Sequence, residues 1–134
     1  DVLVDCVSSF YETAPVPVSD QPWYVNGVAR LSTDLSAHDL LSRLHDVESE
    51  FGRVRRERNA ARVIDLDLVA YGRELIAEDG GIQVPHPRMI ERAFVLLPLR
   101  DVAPGWVHPV LNRSVEDLIS DLPSDQQIRQ QVDR

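Results

Sequence analysis

β-Branched and aromatic residues gather in several short stretches separated by turn-forming residues, a pattern that predicts β-strands. The first stretch is Val2–Tyr11 and the second is Tyr24–Ser32. A third predicted strand is Val63–Tyr71, and Gly72 then opens a turn into a short strand at Glu74–Ile76.

Apolar residues spaced three or four positions apart predict one long helix from Ser36 to Phe51. Its apolar stripe consists of Leu40, Leu41, Leu44, Val47 and Phe51. Ser36 and Asp39 resemble a capping box at the start of this helix. Gly52 suits the position just after its end, where glycine is common.

The remaining chain predicts shorter elements. Helices are expected at Ala93–Arg100 and at Ser114–Asp121, with Ser114 as cap. Thr13–Pro22 contains three prolines and is predicted to be a loop, and the last dozen residues are predicted to be weakly ordered. Strands and helices interleave without a dinucleotide-binding glycine pattern, so the prediction is one α+β domain, residues 1–134, with a small sheet.

Composition narrows the class of protein. The net charge of −8 argues against a general nucleic-acid binder, which usually carries a basic excess. No stretch of 18 apolar residues is present, so no membrane association is expected. Cys6 is the single cysteine, which excludes an internal disulfide and suits a reducing cytoplasm. We expect it to be buried as a small apolar side chain.

Two aspartates interrupt the third predicted strand. In a strand, Asp65 and Asp67 point to the same face about 6.6 Å apart, while Ile64, Leu66 and Leu68 face the other side. Two such carboxylates can bind Mg²⁺, which takes one or two protein carboxylates and completes its shell with substrate phosphates. The alternative is an ordinary solvated strand face.

A basic cluster lies just before these aspartates. Its members within ten residues are Arg53, Arg55, Arg56, Arg58 and Arg62. Guanidinium groups bind phosphate oxygens in bidentate fashion, so arginines beside a metal-binding pair indicate a polyphosphate ligand. The alternative is a surface loop whose arginines pair with nearby carboxylates.

A histidine, an arginine and an aromatic set are the other candidates. His86 lies between two prolines and could donate to a phosphate, together with Arg92; the alternative for His86 is a structural turn residue. Tyr24 and Phe94 offer flat faces, and Asn26 an amide able to read the edge of a heterocycle. Core packing is the alternative for both aromatic residues.

Five motifs occur in the order found in one known family: SSFYET, DQPWYVNGV, GRVR, RNAARVIDLDLV and VPHPRM followed by RAF. On these motifs the chain resembles the 6-hydroxymethyl-7,8-dihydropterin pyrophosphokinases, from Val2 to about Val110. The family signature is a basic residue, two small residues, an arginine and an Asp-aliphatic-Asp triplet. Arg58–Val69 satisfies every position of it.

The resemblance implies a ferredoxin-like two-layer sandwich and an Mg²⁺-dependent diphosphotransferase. The family transfers the pyrophosphoryl group of ATP to the pterin, releasing AMP, in folate biosynthesis. Two Mg²⁺ ions would be bound by Asp65 and Asp67, with Asp65 also near the reacting hydroxyl. ATP and reduced pterin are the implied ligands, and a monomer is expected.

The resemblance also assigns roles to the other residues. Arg53 and Arg62 would stabilise the polyphosphate as catalytic residues, and Arg55 and Arg58 would lie on a mobile catalytic loop. His86 and Arg92 would add contacts to ATP. The pterin would be bound by Thr13, Val16, Tyr24, Asn26, Asp65 and Phe94. Glu48 matches a family glutamate that we expect to support the site.

The chain departs from the family at several places. The family's first strand, its glycine turn and the following helix are absent, so we expect residues to precede Asp1. The catalytic loop is one residue shorter, Asn59 replaces a frequent tryptophan, and Gly80 and Gly81 replace basic residues of some members. These departures leave two alternatives: a non-catalytic nucleotide- or pterin-binding descendant, and an interaction module without a ligand.

Overall fold

The structure is a computed structural model that describes residues 2–14, 23–54 and 65–131, with the backbone alone for residues 52–54. The elements in chain order are β1 (Val2–Val7), β2 (Tyr11–Thr13), β3 (Tyr24–Asn26), β4 (Ala29–Thr33), α1 (Ala37–Val54), β5 (Ile76–Ala77), β6 (Gln83–Val84), a 3₁₀ turn (Met89–Glu91), α2 (Ala93–Val102), α3 (Val115–Ser120) and β7 (Ile128–Gln130). They form two compact units, Asp34–His86 and Val2–Thr33 with Pro87–Arg134.

The first unit packs α1 against the β5–β6 hairpin. The Ser36 hydroxyl accepts a hydrogen bond from Asp39 N at 3.1 Å and so caps the helix, as the sequence predicted. His38 Nε2 lies 2.7 Å from Glu78 Oε2, which links the start of the helix to the hairpin. The core residues are Ala37, Ile82 and Val84, with Leu41, Leu68, Tyr71 and Ile76 packed against them.

The second unit contains two small antiparallel sheets. β1 pairs with β4, and β2 lies between β3 and β7. Ser8 is buried and extends the β1–β4 pairing, because its backbone N donates to Val28 O at 2.8 Å and its hydroxyl accepts from Val28 N at 2.9 Å.

α2 covers one face of the three-stranded sheet. It packs against β2, β3 and α3, and Tyr11 Oη donates to Asp101 Oδ2 at 2.9 Å across this contact. Burial of Tyr11, together with this hydrogen bond, raises the pKa of its hydroxyl. The innermost apolar side chains come from the 3₁₀ turn, α2 and α3: Met89, Leu96, Pro98, Leu99, Val102, Val115 and Leu118.

His108 organises the connection between α2 and α3. Its Nδ1 atom accepts hydrogen bonds from Val110 N and Leu111 N, both at 3.2 Å. The ring also makes an edge contact with Trp106, with centroids 5.6 Å apart. Burial lowers the pKa of His108, which favours the neutral form that can accept at Nδ1.

The predicted helices are confirmed, as is the α+β class. α1, α2 and α3 all lie at the predicted positions, and Ser114 caps α3 by accepting from Asp117 N at 3.1 Å. The strands are small, antiparallel and locally paired. The ferredoxin-like arrangement stays a prediction, as does the single domain over residues 1–134.

Two predicted strands are each divided in the structure. Val2–Tyr11 ends as a strand at Val7, and Tyr11 begins β2. Tyr24–Ser32 contains both β3 and β4, which pair with different partners. Gly27 lies at the break, where a Cβ atom would come within 2.8 Å of the Phe10 ring. Any other residue at this position would require the exposed Phe10 ring to shift. The alternating pattern continues across this break and therefore does not reveal the change of sheet.

The third predicted strand is also wrong in the part that the structure describes. Residues 65–71 are not assigned to a strand, and Val63 and Ile64 lie outside the described residues. A strand requires a regular ladder with a neighbour, which composition alone does not supply. The short strand predicted at Glu74–Ile76 is instead β5, at Ile76–Ala77.

The predicted end of the long helix is wrong as well. α1 continues through Gly52 to Val54, because a glycine inside a helix costs only about 1 kcal/mol relative to alanine. Within the last dozen residues, Ile128–Gln130 form β7 and pair with β2, and the weak order expected of this segment stays a prediction. Cys6 is exposed rather than buried, and so are Val47 and Phe51 at the end of the helical stripe.

Candidate active site

The acidic pair lies on an extended segment of the first unit. Asp65 and Asp67 are exposed, whereas Leu66 and Leu68 between and after them are half-buried. Leu68 packs against the core of this unit. The alternation predicted from the sequence therefore holds in burial although residues 65–71 form no strand. Both carboxylates reach solvent, so they avoid the desolvation cost of a buried charge.

Glu48 holds this segment from α1. Its half-buried carboxylate accepts a hydrogen bond through Oε2 from the backbone N of Leu66, the residue between the two aspartates, at 2.5 Å. A bond from a backbone N–H to a carboxylate is charge-assisted and stronger than a neutral one. The supporting role expected for Glu48 thus has a specific contact.

His86 belongs to the same unit as the acidic pair. Its backbone N donates to Val69 O at 2.7 Å, which fastens the residue after Pro85 to the segment that carries Asp65 and Asp67. His86 is half-buried. His86 is therefore tied to the chain two residues beyond Asp67.

The start of α2 brings two predicted site residues together in the second unit. The guanidinium carbon of Arg92 lies 5.4 Å from the centroid of the Phe94 ring, within the range of a cation–π contact. Arg92 is the extended N-cap residue of α2 and makes no side-chain cap.

Gln126 supplies the missing cap. Its Oε1 atom accepts from Ala93 N at 2.8 Å, and its Nε2 atom donates to Glu91 O at 2.7 Å. Gln126 thereby fixes the backbone on both sides of Arg92. Sequence reasoning missed it, since it lies in the segment predicted to be weakly ordered.

The other predicted ligand residues of this unit share one face of the sheet. Thr13 is directly opposite Tyr24, and Tyr11 is directly opposite Asn26. Residues directly opposite in a pair, and those two apart in one strand, project to the same side. Since the Tyr11 side chain meets α2, the face that holds Thr13, Tyr24 and Asn26 is the face on which α2 packs.

Comparison with known proteins identifies the family to which the chain belongs. The sequence model of the 7,8-dihydro-6-hydroxymethylpterin-pyrophosphokinase family matches residues 2–104. The chain belongs to this family. The 2-amino-4-hydroxy-6-hydroxymethyldihydropteridine pyrophosphokinase of Pseudomonas aeruginosa is 47% identical over 117 residues, which are 87% of this chain and 71% of that protein. Its counterpart from Haemophilus influenzae is 44% identical over 102 residues, 76% of this chain and 63% of that protein.

Longer relatives also match. A folic acid synthesis protein of Dictyostelium discoideum is 39% identical over 122 residues, which are 91% of this chain but 18% of that protein. The chain likewise spans less than a fifth of the folic acid synthesis proteins of Pneumocystis carinii and Schizosaccharomyces pombe. This pyrophosphokinase-family chain therefore corresponds to a small part of those proteins.

The predicted site residues are distributed between the two units. Asp65, Asp67 and His86 are in the first; Thr13, Tyr24, Asn26, Arg92 and Phe94 are in the second. Arg53 is in the last turn of α1. Val16, Arg55, Arg58 and Arg62 lie outside the residues that the structure describes. No helix in the described ranges has the length and apolar character needed to cross a membrane.

Proposed function

We propose that this chain transfers the pyrophosphoryl group of ATP to 6-hydroxymethyl-7,8-dihydropterin in folate biosynthesis. The observation that carries the proposal is the exposed pair Asp65 and Asp67 on a segment fastened by Glu48, in a chain of this family. We further propose that it acts as a monomer in the cytoplasm, for which a single cysteine is suitable.

We infer that Asp65 and Asp67 hold two Mg²⁺ ions together with ATP. Their carboxylates are hard oxygen donors exposed to solvent, as Mg²⁺ prefers. In residues 2–14, 23–54 and 65–131, no group of three or more His, Cys, Asp or Glu side chains is placed to hold a metal. ATP phosphates would complete the shell, because Mg²⁺ is usually bound by one or two protein carboxylates together with substrate phosphates. Bound Mg²⁺ neutralises phosphate charge and polarises the phosphoryl oxygens.

The arginines are proposed to neutralise the rest of the polyphosphate. Arg53, Arg55, Arg58 and Arg62 supply planar donors suited to phosphate oxygens, and Arg53 and Arg62 are assigned to charge that develops during transfer. His86, held beside Val69, and Arg92 add donors to the same triphosphate.

The pterin is assigned to the second unit. Tyr24 and Phe94 stack on its two faces, and Asn26 reads its edge through paired donor and acceptor atoms, with help from backbone near Thr13 and Val16. The shared sheet face of Thr13, Tyr24 and Asn26, and the packing of α2 on that face, support this assignment.

The proposed reaction is an in-line displacement. The hydroxymethyl oxygen bonds to the β-phosphorus, the bond from that phosphorus to the α–β bridging oxygen breaks, AMP leaves with that oxygen, and the hydroxyl proton passes to solvent. Positioning and charge neutralisation do most of the catalytic work in such transfers. The residues named above do both without a dedicated side-chain base.

The test is AMP release by the full-length protein with ATP, Mg²⁺ and the hydroxymethyl pterin. We expect release only when all three are present. Asp67→Asn should reduce it at least about 100-fold, because a charged metal ligand is lost. Asp46→Asn makes the same change at an exposed position of α1 and should leave the rate unchanged. Pterin binding without AMP, or an active Asp67→Asn variant, would contradict the proposal.

A further inference from the structure

β7 lies outside the part of the chain that the family model matches. That match ends at residue 104, whereas β7 is Ile128–Gln130. β7 nevertheless pairs with β2, the strand that also holds β3 with Tyr24 and Asn26. A strand outside the family match therefore belongs to the sheet that carries the proposed pterin residues.

An arginine of β7 links this strand to β2 and to the residue that precedes β3. Arg129 is directly opposite Glu12 of β2, and Glu12 is directly opposite Val25 of β3. Arg129 Nε donates to Glu12 Oε1 at 2.8 Å. The guanidinium carbon also lies 4.0 Å from the centroid of the Trp23 ring, at the head of β3. The guanidinium is thus held between a carboxylate and an aromatic face.

This contact is on the opposite side of the sheet from the pterin residues. Trp23 precedes Tyr24 by one residue, and side chains alternate along an extended strand. Glu12, Trp23, Val25 and Arg129 share one face, while Tyr24 and Asn26 belong to the other. Arg129 therefore cannot touch a ligand bound by Tyr24 and Asn26, and any influence must pass through the position of β3.

β3 needs such support because it is short and lies at a sheet edge. It has three residues, and within the described part of the chain it pairs with one strand, β2. Tyr24 is 63% exposed and Val25 is 51% exposed, so packing holds them weakly. A short edge strand is held by backbone hydrogen bonds on one side only, so side-chain contacts matter more for its position.

We propose that Arg129 is a positioning residue for the pterin. By binding Glu12 and covering Trp23 it fixes β3, and so sets the placement of Tyr24 and Asn26. The identity of the ligand rests on the proposed function. The positioning of β3 by Arg129 rests on the sheet geometry alone.

The experiment compares Arg129→Met with Arg113→Met in the full-length protein. Both remove an exposed arginine that forms an ion pair in the second unit, with Glu12 and Asp121 respectively. We expect Arg129→Met to raise the KM for pterin about three- to tenfold, the size of one exposed cation–π and ion-pair contact. The KM for ATP and kcat should stay within twofold. Arg129→Lys should recover part of the loss, and Arg113→Met should change neither KM.

Amide hydrogen exchange separates this inference from the proposed function. Arg129→Met should speed exchange at Tyr24 and Asn26, whose partners in β2 are Thr13 and Tyr11, and leave Val84 of β6 unchanged. If the wild-type protein releases no AMP, the proposed function is wrong. The positioning role of Arg129 is tested separately, because unchanged exchange in β3 of Arg129→Met would overturn it. A lower melting temperature with unchanged pterin KM would show a purely structural role and overturn the proposal too.

Discussion

The hydrogen bond from Leu66 N to Glu48 is the contact whose removal should most clearly separate site geometry from fold stability. Glu48→Ala removes the carboxylate and leaves the N–H group of a half-buried residue without this acceptor. A hydrogen bond to a charged group contributes about 1.5–3 kcal/mol. Because Glu48 is only half-buried and water can enter, we expect about 1.5 kcal/mol of destabilisation.

The effect on activity should exceed the effect on the folded fraction. Leu66 lies between Asp65 and Asp67, so loosening its backbone spreads the positions of both carboxylates. A loss of about 1.5 kcal/mol in transition-state stabilisation corresponds to roughly a tenfold fall in kcat/KM. The Mg²⁺ concentration at half-maximal rate should rise as well. Glu48→Gln keeps an acceptor without the charge, so its kcat/KM should lie between those of the wild type and Glu48→Ala.

The assay combines urea unfolding with AMP release at several Mg²⁺ concentrations. Asp46→Ala is the matched control, because it also removes a carboxylate, at an exposed position of the same helix. We expect the control to retain wild-type Mg²⁺ dependence. Glu48→Ala with wild-type kcat/KM and Mg²⁺ dependence would refute the role assigned to this contact.

Three further perturbations test other contacts. Tyr11→Phe should cost about 1 kcal/mol in urea unfolding, the usual contribution of one hydrogen bond, and no loss would contradict the α2 contact. Because burial lowers the pKa of His108, the unfolded state takes up a proton first, so stability should fall as pH drops below about 6.5 and be fully present above it. His108→Asn retains an acceptor and should flatten that dependence in unfolding measured from pH 5 to 8; an unchanged slope would refute this. Gln126→Ala should raise the pterin KM about threefold through the start of α2, whereas Gln127→Ala should not; equal effects would exclude the cap.

The helices, and the burial pattern around the acidic pair, were the part of the fold that the sequence could predict. The Ser36 and Ser114 caps and the apolar spacing of α1 are local signals, and each is present in the structure. The alternation around Asp65 and Asp67 likewise predicted which side chains are exposed, since burial follows residue type even where no ladder forms.

Strand partners were the part that could not be predicted. Tyr24–Ser32 has one continuous pattern, yet β3 and β4 pair with different strands on either side of Gly27, and those partners are distant in sequence. β7 is polar and becomes a strand only through β2. Gln126 and Arg129 were missed for the same reason, since their partners are 33 and 117 residues away.

The central claim is that Asp65 and Asp67 bind divalent metal together with the triphosphate. Mn²⁺ can replace Mg²⁺ as a paramagnetic probe, and its binding can be titrated with a non-hydrolysable ATP analogue by electron paramagnetic resonance. We predict that Asp67→Asn weakens Mn²⁺ binding at least about 100-fold in the presence of the analogue, and that Asp46→Asn leaves it unchanged. Equal Mn²⁺ affinity in wild type and Asp67→Asn would contradict the claim.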